Sequence, residues 1–202
     1  MMLAASRDPA RKIPIPATAQ IRSPYRRTVS ARSSVSPSGR STCMEAERYP
    51  RRIEIRRETY GSEAARALTD PLATELLERH GRPGSGSEPP ASDFDPPEGA
   101  FLVGSVDGSD VACGGVCRFD GETAEIRRMY VTPEHRGTGL SRRMLRALEE
   151  EARDFGYRRI RLETGVRQHE ALGLYRSAGF EEIQRFGPYV DDELSVCFEK
   201  PL

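Results

Sequence analysis

Between Thr123 and Gly156 the chain changes its period without a break, and this stretch constrains the fold more than any other. Thr123–Val131 reads as a strand. Pro133 fixes φ in a short turn, and Arg136-Gly137-Thr138-Gly139-Leu140-Ser141 opens a helix. Apolar residues then fall at 140, 144, 145, 148, 152 and 155, one face of a helix, and Gly156 sits where a C-terminal cap belongs. A strand that passes through two glycines straight into an amphipathic helix belongs to an α/β fold. Glycines at such a turn let main-chain N–H groups converge, and with the helix N-terminus they form a pocket for phosphate or pyrophosphate. Arg136, Arg142 and Arg143 add positive charge beside it. Neither common nucleotide motif fits. There is no GK[ST], and Gly137-Thr-Gly139-Leu-Ser-Arg142 lacks the third glycine of the dinucleotide fingerprint.

The flanking sequence supplies the other elements. Arg52–Arg56 alternates as a strand. Ser62 to His80 reads as helix, with Ser62 as N-cap and Asp70-Pro71 as a break that starts a second short helix. Gly81 to Glu98, rich in Gly, Pro, Ser and Asp, reads as a long loop. Ala100–Val106 and Asp110–Arg118 are apolar runs joined by Asp107-Gly108, a hairpin signal because both central positions of the tight turn need positive φ. Arg159–Glu163 is strand-like, Gln168–Ala178 is a second amphipathic helix stopped by Gly179, and Leu194–Phe198 is a last strand. The expected order is β-α-α-β-β-β-α-β-α-β, a mixed sheet with helices on its faces.

Composition limits what such a fold does. Of 202 residues, 37% are hydrophobic, which is lean if all must share one core, so one domain plus an extension is expected. The 31 basic and 31 acidic residues cancel, unlike the balance of a protein that neutralises phosphates along nucleic acid. The cancellation hides a split. Residues 1–43 hold eight basic residues and one acid, a net of +7, and leave the remainder at −7. That segment is rich in Ser, Thr and Pro without sustained period, so it is expected to be a disordered basic extension, with the domain at 44–202. It reads as an inert stretch ahead of a true start at Met44, as an Arg- and Ser-rich transit peptide, or as a basic arm. Four cysteines without a CxxC pair and three scattered histidines oppose a disulfide framework or a metal site. No apolar run is long enough for a membrane span. A soluble cytoplasmic protein is expected, with a homodimer among the assemblies open to it.

Arg136-x-x-Gly139-x-Ser141 resembles the R/Q-x-x-G-x-G/A signature of the GNAT superfamily of N-acetyltransferases. Ala171-Leu-Gly-Leu-Tyr175-Arg-Ser-Ala-Gly179-Phe180 resembles that family's A-x-x-x-Y-x-x-x-G-F signature. The resemblance covers residues 52–200. Ser141 departs from the usual Gly or Ala but is small, and its hydroxyl adds a donor. The resemblance implies a GNAT-like, mostly antiparallel central sheet and the use of acetyl-CoA. The turn residues Arg136, Gly137, Thr138, Gly139, Leu140 and Ser141 would cradle the diphosphate. Met129, Tyr130 and Val131 would pair with the pantetheine arm as an added strand. Gln168 stands where relatives often carry an Asn reaching that arm. Tyr175 corresponds to the tyrosine that protonates the departing thiolate, beside a plain packing role.

Transfer to an amine also needs a base and an oxyanion donor. Glu125, at the position of a strand glutamate used by some relatives, and Glu163, on the neighbouring strand, are the candidates, against a water relay or a solvated surface role. Each would need its pKa raised by burial to work near neutral pH. The expected acceptor is a small-molecule or peptide amine attacking directly. The rival expectation is a non-catalytic acyl-CoA-binding or regulatory module. Cys113 and Cys117 read as buried packing residues, Gly173 as either a close approach or simple tolerance, and Tyr189 as either a pocket residue or an exposed loop tip.

Overall fold

Asp107 and Gly108 take φ of 52° and 86°, and they turn β2 (Ala100–Val106) back on β3 (Ser109–Arg118). The hairpin grows in both directions. β1 (Ile53–Glu58) pairs with β2, and β4 (Thr123–Val131) pairs with β3, all antiparallel. The computed structural model describes residues 52–81 and 88–202, which fall in the unit Ala46–Leu202. The expectations for residues 1–43 lie outside the described residues.

After β4 the chain crosses through α2 (Leu140–Asp154) to β5 (Arg159–Gly165), which lies parallel to β4. α3 (His169–Ser177) leads to a short β6 (Glu181–Ile183), and β7 (Ser195–Pro201) inserts antiparallel between β5 and β6. The seven strands run β1-β2-β3-β4-β5-β7-β6, mixed and mostly antiparallel as expected.

Helices cover both faces. Leu140, Met144, Leu145 and Leu148 of α2, with Leu172 and Tyr175 of α3, pack on one side against Val116, Ile126, Leu162 and Phe198. α1 (Glu63–His80) covers part of the other face through Ala65, Leu68 and Leu72, which meet Phe101, Cys113 and Cys117. Small residues set the spacing of the layers. A Cβ on Gly114 would stand 2.8 Å from Leu148 Cδ1, and one on Gly115 would stand 2.3 Å from Phe94 Cε1.

The structure corrects three expectations. Asp70-Pro71 does not split the first helix; α1 continues through Pro71 to a cap at Gly81, whose N–H donates to the Leu77 carbonyl at 2.8 Å. Pro71 removes one helical bond, but Leu68 and Leu72, one on each side of it, are both buried and hold the two turns in line. Gly81 to Glu98 is not all loop, since Ala91–Phe94 forms a 3₁₀ turn that buries Phe94 between α1 and the sheet. The expected order also lacks β6. Its three residues, Glu-Glu-Ile, are too few to show a period, and pairing with β7 makes them a strand.

Candidate active site

Val131 ends β4, and the chain reaches α2 through Gly137 and Gly139, with φ of 74° and 84°. Those angles favour glycine, and a Cβ at either position would meet no atom within 4 Å, so the outer side of the turn is open. The main-chain N–H groups of Gly137, Thr138 and Gly139 donate to no other described residue. α2 has Gly139 as its cap without a side-chain bond, and the Arg143 N–H donates to the Gly139 carbonyl at 3.2 Å. The N–H groups of Leu140, Ser141 and Arg142 precede that bond, as the first amides of any helix must. Free amides at the positive end of a fifteen-residue helix form a site for an anion.

The arginines around the turn mostly shape it. Arg136 Nε donates to the Val131 carbonyl at 3.0 Å, and its Nη2 pairs with Glu75 at 2.5 Å. Its charge is therefore partly spent on α1, and its role in the turn is to tie it to the end of β4. Arg142 donates to the carbonyl and hydroxyl of Ser177 at 3.3 and 2.8 Å, binding the start of α2 to the end of α3. Thr138 Oγ1 donates to the His135 carbonyl at 2.6 Å and steadies the turn from inside.

β4 and β5 pair over Thr123–Ile126 and Arg159–Leu162, and then separate. A bulge in β4 helps to open them: its register against β3 shifts between Cys113 and Gly115, and Arg128 takes a φ of 58°, uncommon for a residue with a side chain. The edge of β4 from Arg127 to Val131 is left without a strand partner on the β5 side. Between the splayed strands lies a cavity of about 160 Å³. Met129 lines it from β4, Glu163, Thr164 and Gly165 from β5, Gln168 and Tyr175 from the α3 region, and Leu72, Leu76 and His80 from α1.

Tyr175 and Glu163 meet at this cavity. Tyr175 is buried, and its hydroxyl lies 3.8 Å from Met129 Sδ. Burial, and then the Glu163 charge, push its pKa up, so it stays a neutral phenol with a proton to give. Glu163 accepts from Ser195 Oγ at 2.6 Å. Burial raises its pKa, and the Ser195 bond opposes that rise.

Glu125 is placed differently. It is buried under the loop at 186–192 and accepts from the Tyr189 hydroxyl at 3.0 Å, with Arg127 Nε 3.8 Å away. Burial raises its pKa too, against the lowering effects of Arg127 and the Tyr189 bond. It does not line the cavity, whereas Tyr189 does. Gln168 caps α3 and lines the cavity, and its Oε1 accepts from the Gly165 N–H at 2.8 Å and from Thr164 Oγ1 at 3.1 Å.

Several lining residues carry no signal in the sequence. His80, a helix-end residue by position, packs so tightly on Gly165 that a Cβ there would be 2.2 Å from its ring. Ser195, Asp192 and the bulged Arg128 also line the cavity. None belongs to a motif; the positive φ of Arg128 arises from pairing with β3, which sequence does not display. Tyr189 is buried, not an exposed loop tip. Around Gly173 a Cβ would meet nothing within 4 Å, so no strand approaches it. Burial pushes the thiols of Cys113 and Cys117 up to about 12, and they are packing residues. Among the described residues no group of three or more His, Cys, Asp or Glu could hold a metal ion, and no helix is long and apolar enough to cross a membrane.

The sequence profile of the acetyltransferase (GNAT) family matches residues 66–180, from α1 to the end of the second signature. This chain belongs to the GNAT family of acetyltransferases. It is similar to the IAA acetyltransferase of Azospirillum brasilense, with 43% identity over 107 residues, 52% of this chain and 70% of that protein. An uncharacterised N-acetyltransferase of Escherichia coli is 32% identical over 129 residues, 61% of this chain and 69% of its own length. Among solved structures, a Klebsiella pneumoniae protein assigned as an acyl-CoA N-acyltransferase superposes with a TM-score of 0.64 at 32% identity, over 74% of this chain and 97% of that one. A GNAT acetyltransferase from Elizabethkingia anophelis with acetyl-CoA bound shares the fold, at a TM-score of 0.54 and 19% identity, over 74% of this chain and 98% of that one. This GNAT protein is an N-acetyltransferase.

Proposed function

We propose that this GNAT protein transfers an acetyl group from acetyl-CoA to a primary amine by direct attack, within residues 44–202. The observation that carries the proposal is the open turn. Its free amides stand at the start of α2, and Arg142 ties that start to Ser177, two residues past Tyr175. A diphosphate held there would send its arm along the unpaired edge of β4 toward Met129, where main-chain groups can pair with it. Tyr130 and Val131 continue that edge, and the amide nitrogen of Gln168 meets the arm from the α3 side.

The thioester carbonyl then lies between Glu163 and Tyr175. Glu163 takes the proton of the attacking ammonium, directly or through one water, and the amine nitrogen forms a bond to the carbonyl carbon. The oxyanion is met by a main-chain N–H of the β4 edge. As the C–S bond breaks, the Tyr175 hydroxyl gives its proton to the thiolate, and the second proton shed by the nitrogen as it becomes an amide restores the phenol, directly or through water. Of the two glutamates, Glu163 suits the base role because it lines the cavity. Glu125 acts behind it by holding Tyr189. No covalent acyl-enzyme is required, since the buried cysteines keep their protons.

Acetyl-CoA and a panel of amines, with free thiol followed over time, test the reading. IAA, named in the Azospirillum relative, is assayed separately beside the amines. Thiol release that depends on an amine is expected. Tight CoA binding with no turnover on any amine would instead favour a non-catalytic acyl-CoA-binding module.

A further inference from the structure

We infer that the acceptor of this transferase is a small amine that also carries a carboxylate, and that Arg128 is the residue that selects it. The inference rests on the transferase reading above and names its substrate class. Arg128 stands at the bulge of β4 with a φ of 58° and lines the cavity from the strand opposite Glu163. Its side chain is about four-fifths buried, and its Nε is buried without a hydrogen-bond partner. A guanidinium in that position keeps an unused donor, which is costly unless a ligand meets it.

One carboxylate already samples this guanidinium. Glu88 pairs with Arg128 Nη2 and also accepts from the Tyr60 hydroxyl. The Glu88 side chain is 66% exposed, so its pairing is solvent-screened and readily displaced. A planar guanidinium prefers a carboxylate held by two nitrogens, and the pair with Glu88 uses one. An incoming carboxylate can take Nε and Nη2 together and exchange with Glu88.

The rest of the cavity suits a molecule with both charges. Glu163 on β5 attracts the ammonium end, while Arg128 on β4 holds the carboxylate end. At about 160 Å³ the space is smaller than the roughly 300–1,000 Å³ of pockets for drug-sized ligands, so a compact acceptor fits it. An amine without a carboxylate would leave Arg128 with Glu88 alone and gain nothing from the bulge.

The test uses the full-length protein, acetyl-CoA, and matched pairs: each proteinogenic amino acid beside its carboxamide, with thiol release giving kcat/KM. The expected ratio, acid over amide, is about tenfold or more, the usual worth of a hydrogen bond to a charged group. Arg128→Gln should collapse that ratio towards one, chiefly through KM of the acid. Glu88→Gln, at an exposed side chain, should raise the ratio by lowering KM for the acid, and it guards against an Arg128 variant that fails to fold. Amides turned over as well as acids, or an Arg128→Gln protein that melts like the wild type and loses both alike, would overturn the inference while leaving the transferase standing. Acetyl-CoA binding with no turnover of any amine would bring down both.

Discussion

Glu163→Gln isolates the charge that the proposed chemistry needs. Gln is nearly isosteric, and its Oε1 can still accept from Ser195 Oγ, now 2.6 Å from the carboxylate, so neither a cavity nor an orphaned hydroxyl results. What disappears is the proton acceptor. A positioned general base contributes about 10²–10⁴-fold, so kcat should fall by that factor, or roughly 3–5 kcal/mol of transition-state stabilisation. Stability should move the other way. Burial raises the Glu163 pKa above its unfolded value, so between those two values the folded state holds a proton that the unfolded state has lost. Stability therefore falls as pH rises through that window. At neutral pH the ionised group is a net cost, about 1.4 kcal/mol for each tenfold by which burial weakens the acid. The amide removes that cost. In the wild type, kcat/KM should climb with pH through a value above the ordinary glutamate range, and the variant should lose that limb. Steady-state kinetics across pH, beside thermal melts at pH 7, measure both effects. A variant with near-normal turnover, or one that melts well below the wild type, would refute the assignment of Glu163 as a buried base.

Tyr175→Phe should lower kcat far more than CoA affinity and leave the melting temperature almost unchanged, because its hydroxyl touches little besides Met129 Sδ at 3.8 Å; kinetics with calorimetric CoA titration separates the two. Gly139→Asp places a carboxylate at the anion site and a side chain at a φ of 84°, so CoA binding should be lost while the far-ultraviolet spectrum is kept, the turn having open space around it. Gly115→Ala would bring a methyl within 2.3 Å of Phe94, and overpacking of that kind costs about 1–3 kcal/mol, readable by chemical denaturation without loss of activity per folded molecule.

Much of the frame is legible in the sequence because its causes are local. Asp107-Gly108 needs positive φ at both positions, and both have it. Ser62 is a cap by residue type and place, and its side chain accepts from the Ala65 N–H at 3.2 Å. The period of α2 places Leu140, Met144, Leu145, Leu148 and Ala152 in the core, where the structure buries them, while Phe155 at the cap is only partly buried. Pro71 misleads because local propensity favours a break, while buried leucines on both sides of it override that preference. The site is half legible. Both family signatures fall on the expected elements, yet alternation along β4 and β5 ranks Glu125 and Glu163 as equals in kind.

The amino-acid order alone determined the strand–glycine turn–helix unit, its open amides and the tyrosine four residues after Ala171, since each depends on backbone angles and periods within a few residues. Tertiary structure alone decided which glutamate faces the cavity. Tyr189 reaches Glu125 across 64 residues of chain, α1 brings His80 onto Gly165, and the bulge against β3 puts Arg128 among the residues that line the cavity. Such contacts are set by which surfaces pack together, and no spacing along one strand encodes what will cover it.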